Sequence, residues 1–285
     1  MTKFAVSNIA WPVEQRDAAY RVLAEAGIGG LELAPGLFLP HAEDPFRPTK
    51  AEKDAALAPM RDAGLSPVSM QSLLFGVQGA ALFGSEQELA TFEAAMHRAI
   101  GLAGDLAIPN MVFGSPRQRV IPEEMDRSTA EARAVEVFYR LGDAARAAET
   151  RIALEPNAPD YGTNFLNRVE ETAAFVRRVD HPAIALNFDV GALHAQGDFE
   201  RIGTIAPAVA DCTAHVHFSE PALAPAPRDP AQAGRVLAAM QSNGYNGWYS
   251  IEMAATADCI RDLTSAIARL RAAEAAAAGR TITDD

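Results

Sequence analysis

Residues Asp211–Pro221, DCTAHVHFSEP, place two histidines at alternate positions of an apolar run. In an extended strand, His215 and His217 face one side, while Val216 and Phe218 face the other. The serine, glutamate and proline that follow predict the end of the strand. Because neutral imidazole is the commonest metal-binding side chain, a histidine at the end of a strand is a candidate ligand.

Three further strand-like stretches end in a carboxylate. They are Ile152–Glu155, Ile184–Asp189 and Trp248–Glu252. Side chains at the ends of four separate strands meet only where the strands lie side by side and run in the same direction. The pattern therefore predicts a parallel sheet whose C-terminal edge gathers these carboxylates around His217.

Strand and helix patterns alternate along the whole chain. The remaining predicted strands are Phe4–Trp11, Leu31–Pro35, Pro67–Phe75 and Asn110–Gly114. Eight helices are predicted. One follows Pro12, one begins at Ser85, one ends at Gly244 and one closes the chain, while the other four run over 49–64, 128–149, 165–179 and 199–210. Alternating βα units imply parallel strands that are joined by right-handed crossovers.

The number of units favours a closed barrel over an open sheet. Eight units match the (β/α)₈ architecture of roughly 250 residues. Polar side chains lie at strand ends around the whole chain, whereas an open sheet concentrates its site at one switch point. No GxGxxG motif follows the first strand. The sequence therefore predicts an α/β protein with a single (β/α)₈ TIM barrel over residues 1–279 and a loose tail over 280–285.

Composition limits the partners that the protein can have. The chain has 285 residues, with 25 Lys and Arg against 37 Asp and Glu, for a net charge of −12. This balance argues against nucleic acid, which binds to clustered cations. The sequence shows neither a signal peptide nor an apolar run of membrane-spanning length. We therefore expect a cytoplasmic protein without a membrane partner, and the sequence leaves open whether it forms a homo-oligomer.

The four strand-end residues predict a metal site. A single strand-end glutamate is more often a solvated residue or a cap, but four such residues at equivalent positions favour ligands. Three carboxylates and one imidazole suit Mn²⁺, Mg²⁺ or Co²⁺ better than a structural zinc. We expect Mn²⁺, with Mg²⁺, Co²⁺ or Zn²⁺ as alternatives. His217 is preferred as the ligand because it is nearer the strand end, whereas His215 lies deeper and is expected to make an interior hydrogen bond.

The motifs around these residues resemble the xylose-isomerase-like TIM barrels. This group of sugar-phosphate isomerases and epimerases includes ketose 3-epimerases, hydroxypyruvate isomerase and inosose dehydratase. The matching motifs are IALEP around Glu155, NFDVGALHAQGD around Asp189, HVHFSEP around His217 and YSIEM around Glu252. The resemblance covers nearly the whole chain. It implies that Glu155 and Glu252 are both metal ligands and acid–base residues, on opposite faces of a bound sugar.

The chain differs from the ketose 3-epimerases at three positions. Those enzymes usually carry a histidine three residues after the aspartate, where this chain has Ala192, with His194 two positions further on. They carry an arginine six residues after the metal histidine, where this chain has Leu223. A second glutamate six residues after the first is replaced by Tyr161. These three departures imply that the side chains around the substrate differ from those of the ketose 3-epimerases.

The predicted function is a divalent-metal-dependent sugar isomerase or epimerase. Glu155 or Glu252 removes a proton next to a carbonyl, a metal-stabilised enediolate forms, and the other glutamate returns the proton. The predicted substrate contacts are Trp11, Gln71, His194, Arg117 and Tyr161.

Three of these contacts, and Arg119 near one of them, also have purely structural interpretations. Arg117 and Arg119 follow the fourth strand and suit a phosphate or carboxylate, but plain surface charges are the alternative. Interior packing is the alternative for Trp11 and Gln71.

Three other functions remain open from the sequence. A dehydratase of a keto-polyol would use the same metal site, because β-elimination begins with the same proton loss. A hydrolase that resembles endonuclease IV would use three zinc ions, which requires more histidines and fits poorly with the acidic net charge. An inactive sugar-binding barrel would fold without metal.

Overall fold

Eight parallel strands close into a barrel in the computed structural model, which describes residues 2–279. Each strand pairs with the next in sequence, and the last pairs with the first. The strands are β1 (Lys3–Ser7), β2 (Gly30–Leu33), β3 (Ser66–Met70), β4 (Met111–Phe113), β5 (Ile152–Leu154), β6 (Ile184–Asp189), β7 (Thr213–Phe218) and β8 (Trp248–Ile251). The predicted (β/α)₈ barrel is confirmed, whereas the tail predicted over 280–285 lies outside the described residues.

Helices surround the barrel. They are α1 (Arg16–Glu25), α2 (Pro35–Phe38), α3 (Lys50–Asp62), α4 (Glu86–Asp105), α5 (Arg127–Ala147), α6 (Val169–Val179), α7 (Val190–Ala195), α8 (Ile202–Val209), α9 (Pro230–Ser242) and α10 (Cys259–Ala277). None of the helices within residues 2–279 combines the length and apolar character that crossing a bilayer requires.

Local capping explains where two of the outer helices begin. The Thr49 hydroxyl accepts from the Glu52 backbone N–H before α3, and the Glu52 carboxylate accepts in return from the Thr49 N–H. Ser85 and Glu88 repeat the exchange before α4. Each pair satisfies two N–H groups that a helix start leaves open, which is why the sequence located both starts correctly.

Several elements differ from the sequence prediction. The predicted strand Phe4–Trp11 ends at Ser7, and the short helix α2 was not predicted. The predicted strand Pro67–Phe75 ends at Met70, because Ser72 has a φ of 59°, in the left-handed region, and the chain turns there. A short helix, α7, follows β6 directly, where none was predicted. Its N-cap is Asp189, whose Oδ1 accepts from the Ala192 N–H at 2.5 Å. A predicted metal ligand thus also begins a helix.

The barrel interior is polar. At most 1% of the residue surface is exposed at seven of its strand positions: Ser7, Glu32, Ser69, Asn187, His215, His217 and Ser250. The interior of such barrels is usually dominated by branched apolar side chains. Here the buried polar groups need partners inside the barrel, since each unpaired one is costly.

The apolar core lies instead between the strands and the helices. The rings of Phe113, Phe138 and Phe175 pack edge to face, with centroids 5.3 Å and 6.0 Å apart in succession. Phe138 on α5 is fully buried between its two neighbours. This layer stabilises the fold, while the polar interior is left for the site.

We expect Phe138→Ala to lower the free energy of unfolding by about 3–5 kcal/mol, because it removes a buried ring and leaves a cavity. Urea denaturation followed by circular dichroism would measure the change. Glu136→Ala, on the exposed side of the same helix, is the control and should change stability by less than about 0.5 kcal/mol. Equal effects of the two substitutions would contradict the described packing.

Candidate metal centre

His217 lies at the centre of a group of carboxylates. Its Nδ1 is 3.1 Å from Glu155 Oε1, 3.3 Å from Glu252 Oε2 and 3.8 Å from Asp189 Oδ2. One ligand atom from each of the four residues lies within 4.8 Å of the others. All four side chains are buried, and the carboxylates follow or end β5, β6 and β8. The structure therefore brings together the four residues that the sequence named as ligands.

The donor atoms of this cluster fit a divalent cation. Three buried carboxylates repel one another unless a positive charge or protons compensate them. Burial, together with the charges of Glu155 and Glu252, raises the pKa of Asp189 to about 8. The Nδ1 atom of His217 makes no hydrogen bond within residues 2–279. An imidazole nitrogen without a hydrogen-bond partner and an excess of oxygen donors suit a hard or borderline divalent ion.

The Glu155 carboxylate is held by two side-chain amides. Asn187 Nδ2 donates to Oε1 at 2.9 Å, and Asn157 Nδ2 donates to Oε2 at 3.0 Å. The fully buried Arg119 donates to Asn157 Oδ1 at 2.6 Å and to the Glu155 carbonyl at 2.7 Å. Burial raises the pKa of Glu155, but His217, Asn157 and Arg119 outweigh it and bring it below its usual value. This side of the site is therefore rigid and favours the ionised carboxylate.

Glu252 lies in a different environment. It follows β8, and its backbone N–H donates to the Phe218 carbonyl at 2.9 Å. Burial raises the pKa of its carboxyl, and the charge of Glu155 adds to the effect against the opposing influence of His217. The pKa of Glu155 is therefore shifted downward and that of Glu252 upward.

Asp189 is oriented by the loop after β7. Ser219 Oγ donates to Asp189 Oδ2 at 2.7 Å and accepts from the Gly191 N–H at 2.9 Å. The other carboxylate oxygen caps α7. Both Asp189 oxygens are therefore already engaged by this chain, which fixes the plane of the carboxylate.

The far side of the His217 ring faces a further carboxylate. His217 Nε2 lies 3.1 Å from Glu32 Oε1, and Ser69 Oγ donates to the same oxygen at 2.9 Å. Burial raises the pKa of Glu32, but the charge and hydrogen bond of His217, with smaller effects of His215 and Ser69, lower it to about 2. His215 Nε2 lies 3.0 Å from Ser250 Oγ, which is the interior hydrogen bond that the sequence predicted.

Trp11 and Gln71 are both buried. The Trp11 ring packs edge to face on Tyr20, with centroids 6.3 Å apart. Gln71 Nε2 donates to Ser7 Oγ at 2.7 Å. Each side chain has a partner within the protein, and their role as substrate contacts stays a prediction.

The other three predicted substrate contacts lie outside the four-residue cluster. The His194 ring stacks on Phe199 with centroids 4.5 Å apart, and burial lowers the pKa of His194. Tyr161 Oη accepts from the Ala222 N–H at 3.0 Å, which links the loops after β5 and β7. Arg117 is exposed. Whether these side chains bind substrate stays a prediction.

Several supporting residues were not identified as such from the sequence. For Arg119 the sequence left open an anion-binding role or a plain surface charge, and the surface-charge alternative is wrong because none of the residue is exposed. Glu32 and Asn187 carry a recognisable signal, since each is a lone polar residue on a buried strand and so requires an interior partner. Asn157 and Ser219 lie in loops and carry no such signal.

We expect Gly114→Ala to weaken metal binding by about 10–100-fold, because a methyl group there would lie 2.6 Å from Glu155 Oε2 and displace the carboxylate. Calorimetric titration with Mn²⁺ would measure the affinity. Gly203→Ala on α8, where the added atom meets nothing within 4 Å, is the matched control and should leave the affinity unchanged. Equal affinities for the two variants would contradict the close approach.

We also expect metal binding to strengthen as the pH rises from about 6 to about 9, because the ion competes with protons on the ligands. The raised pKa values of Asp189 and His217 mean that both groups hold protons at the lower pH. Calorimetry in two buffers of different ionisation enthalpy would count the protons that are released. An affinity that is independent of pH would contradict this picture.

Solved structures share this fold at low sequence identity. L-ribulose 3-epimerase superposes with a TM-score of 0.78 at 16% identity, covering 100% of both chains. The apo form of 3-keto-D-glucoside 4-epimerase from E. coli gives 0.76 at 14%, covering 95% of this chain and 99% of that one. D-psicose 3-epimerase from Clostridium cellulolyticum H10 with D-tagatose gives 0.71 at 16%, covering 98% and 99%. These likenesses show the fold alone.

Sequence comparison identifies the family. No curated protein matches the chain. The family model described as the xylose isomerase-like TIM barrel matches residues 20–278. This match spans nearly all of the described barrel, including the four residues of the cluster. The protein belongs to the xylose isomerase-like TIM barrel family.

Proposed function

We propose that this protein is a divalent-metal-dependent isomerase or epimerase that acts on a sugar or a sugar-derived ketone. The convergence of Glu155, Asp189, His217 and Glu252 at the C-terminal end of the barrel carries the proposal. That end is where enzymes with this fold have their active sites. The names of the structural neighbours, which are sugar epimerases, support the choice of substrate class.

The chemistry that fits the site is proton transfer next to a carbonyl. A divalent cation held by these four residues would polarise a substrate carbonyl and stabilise the negative charge left by proton loss. Glu155 and Glu252 are the groups that take the proton and return it. The asparagines keep the Glu155 carboxylate in one orientation, so that the carboxylate does not have to reorganise during the reaction.

The positions of the two glutamates suit transfer on two faces of a substrate. Glu155 follows β5 and Glu252 follows β8, so they approach the centre of the cluster from different parts of the barrel rim. Epimerisation requires that the second group deliver a proton to the face opposite the one that lost it. Aldose–ketose isomerisation requires delivery to the neighbouring carbon. Both reactions begin with the same abstraction.

The test is hydrogen exchange from D₂O in the presence of Mn²⁺ and a panel of ketoses. We expect deuterium at the carbon next to the carbonyl of at least one sugar, detected by NMR. Glu155→Gln and Glu252→Gln should each slow the exchange by about 10²–10⁴-fold, because each removes a group that transfers the proton. Rates are compared at equal metal occupancy, since both residues also lie in the cluster.

Glu136→Gln, on the exposed side of α5, is the control and should leave the exchange rate unchanged. If metal is bound but no sugar of the panel takes up deuterium, the proposed chemistry is overturned. Exchange followed by loss of water would instead identify a dehydratase on the same site.

A further inference from the structure

One hydrogen bond crosses the interior of the barrel and ends at the metal cluster. Glu32 on β2 and His217 on β7 are separated around the barrel by β1 and β8, yet Glu32 Oε1 lies 3.1 Å from His217 Nε2. Neither residue is exposed. A buried carboxylate is costly unless it is paired, so its place opposite the histidine requires a reason.

The neighbours of Glu32 orient its carboxylate. Asn110 Nδ2 donates to Ser69 Oγ at 3.0 Å, and Ser69 Oγ donates its only proton to Glu32 Oε1 at 2.9 Å. Glu32 is therefore an acceptor toward Ser69. Nε2 also lies 3.0 Å from Glu32 Oε2, so both carboxylate oxygens face this ring nitrogen, which is the arrangement in which a metal-binding histidine donates its second N–H to a carboxylate.

A proton on Nε2 leaves the lone pair of neutral imidazole on Nδ1. Nδ1 is the atom of His217 that faces the carboxylates of Glu155, Glu252 and Asp189. We propose that Glu32 is a positioning residue, which holds the His217 ring in place with Nε2 protonated and Nδ1 directed at the cation. This inference rests on the proposed metal function of the site.

A second metal site is the competing explanation. Glu32, His215 and His217 also offer ligand atoms within 4.8 Å of one another. However, His215 Nε2 is 3.0 Å from Ser250 Oγ and 3.9 Å from Glu32 Oε1. Hydrogen bonds therefore account for both histidine Nε2 atoms, and within residues 2–279 this group offers an ion one carboxylate and two imidazoles. The number of ions bound per chain distinguishes the two explanations.

The test compares Mn²⁺ binding by the full-length protein and its variants, measured by calorimetry. Glu32→Gln keeps the length of the side chain but removes its charge, and we expect an affinity about 10–100-fold lower, with one ion per chain. Ser69→Ala leaves the carboxylate but removes one of its donors, and we expect a smaller loss. Ser250→Ala, which removes the partner of His215, is the matched control and should stay within about twofold.

Nitrogen NMR of the Zn²⁺-loaded protein gives an independent readout, because a purely structural role for Glu32 would not specify the protonation state of the ring. We expect His217 to show a metal-bound Nδ1 and a protonated Nε2. A protonated Nδ1 would overturn the inference. So would two bound ions per chain, or an unchanged affinity in both Glu32→Gln and Ser69→Ala.

The outcomes separate the two proposals. If the unchanged protein binds no metal, the proposed function fails first, and this inference fails with it. If the unchanged protein binds one ion and the variants bind it equally well, only the role of Glu32 fails. Circular dichroism spectra would show whether Glu32→Gln folds. If Glu32→Gln does not fold, the affinity of Ser69→Ala for Mn²⁺ is compared with that of the unchanged protein instead.

Discussion

Mutual repulsion among three buried carboxylates is the constraint on which the site depends. Glu155, Asp189 and Glu252 approach one imidazole inside a space that excludes most water. Such a group is stable only if protons or a cation compensate its charge. The pKa of Asp189, raised to about 8 by burial and by the charges of Glu155 and Glu252, reflects this repulsion. The divalent ion that we propose would offset the free-energy cost of gathering these charges.

The fold supports that arrangement because its apolar core, between the strands and the helices, is separate from the polar interior of the barrel. Packing of aromatic and aliphatic side chains between strands and helices stabilises the fold, so the interior does not have to be apolar. Polar residues there form hydrogen bonds across the barrel and behind the ligands. Asn157, Asn187 and Ser219 orient the carboxylates, while Glu32 faces the histidine from the opposite side. Supporting interactions of this kind commonly tune both the orientation and the basicity of metal ligands.

Much of the architecture and the members of the four-residue cluster could be read from local patterns. Capping pairs such as Thr49 and Glu52 mark helix starts, because the interaction is contained within four residues. The end of β3 was misplaced since the left-handed turn at Ser72 leaves little trace in the apolar run SLLF. The helix after Asp189 was missed because a six-residue element is too short to show a period.

The sequence by itself determined the alternation of strands and helices, and it placed Glu155, Asp189, His217 and Glu252 at strand ends, because periodicity and strand termination are local properties. Tertiary structure alone decided which atoms face each other. Glu32 is 185 positions away from His217 along the chain, and Arg119 is 36 away from Glu155. Contacts over such separations are set by barrel closure and loop packing, which bring together side chains that no local pattern relates.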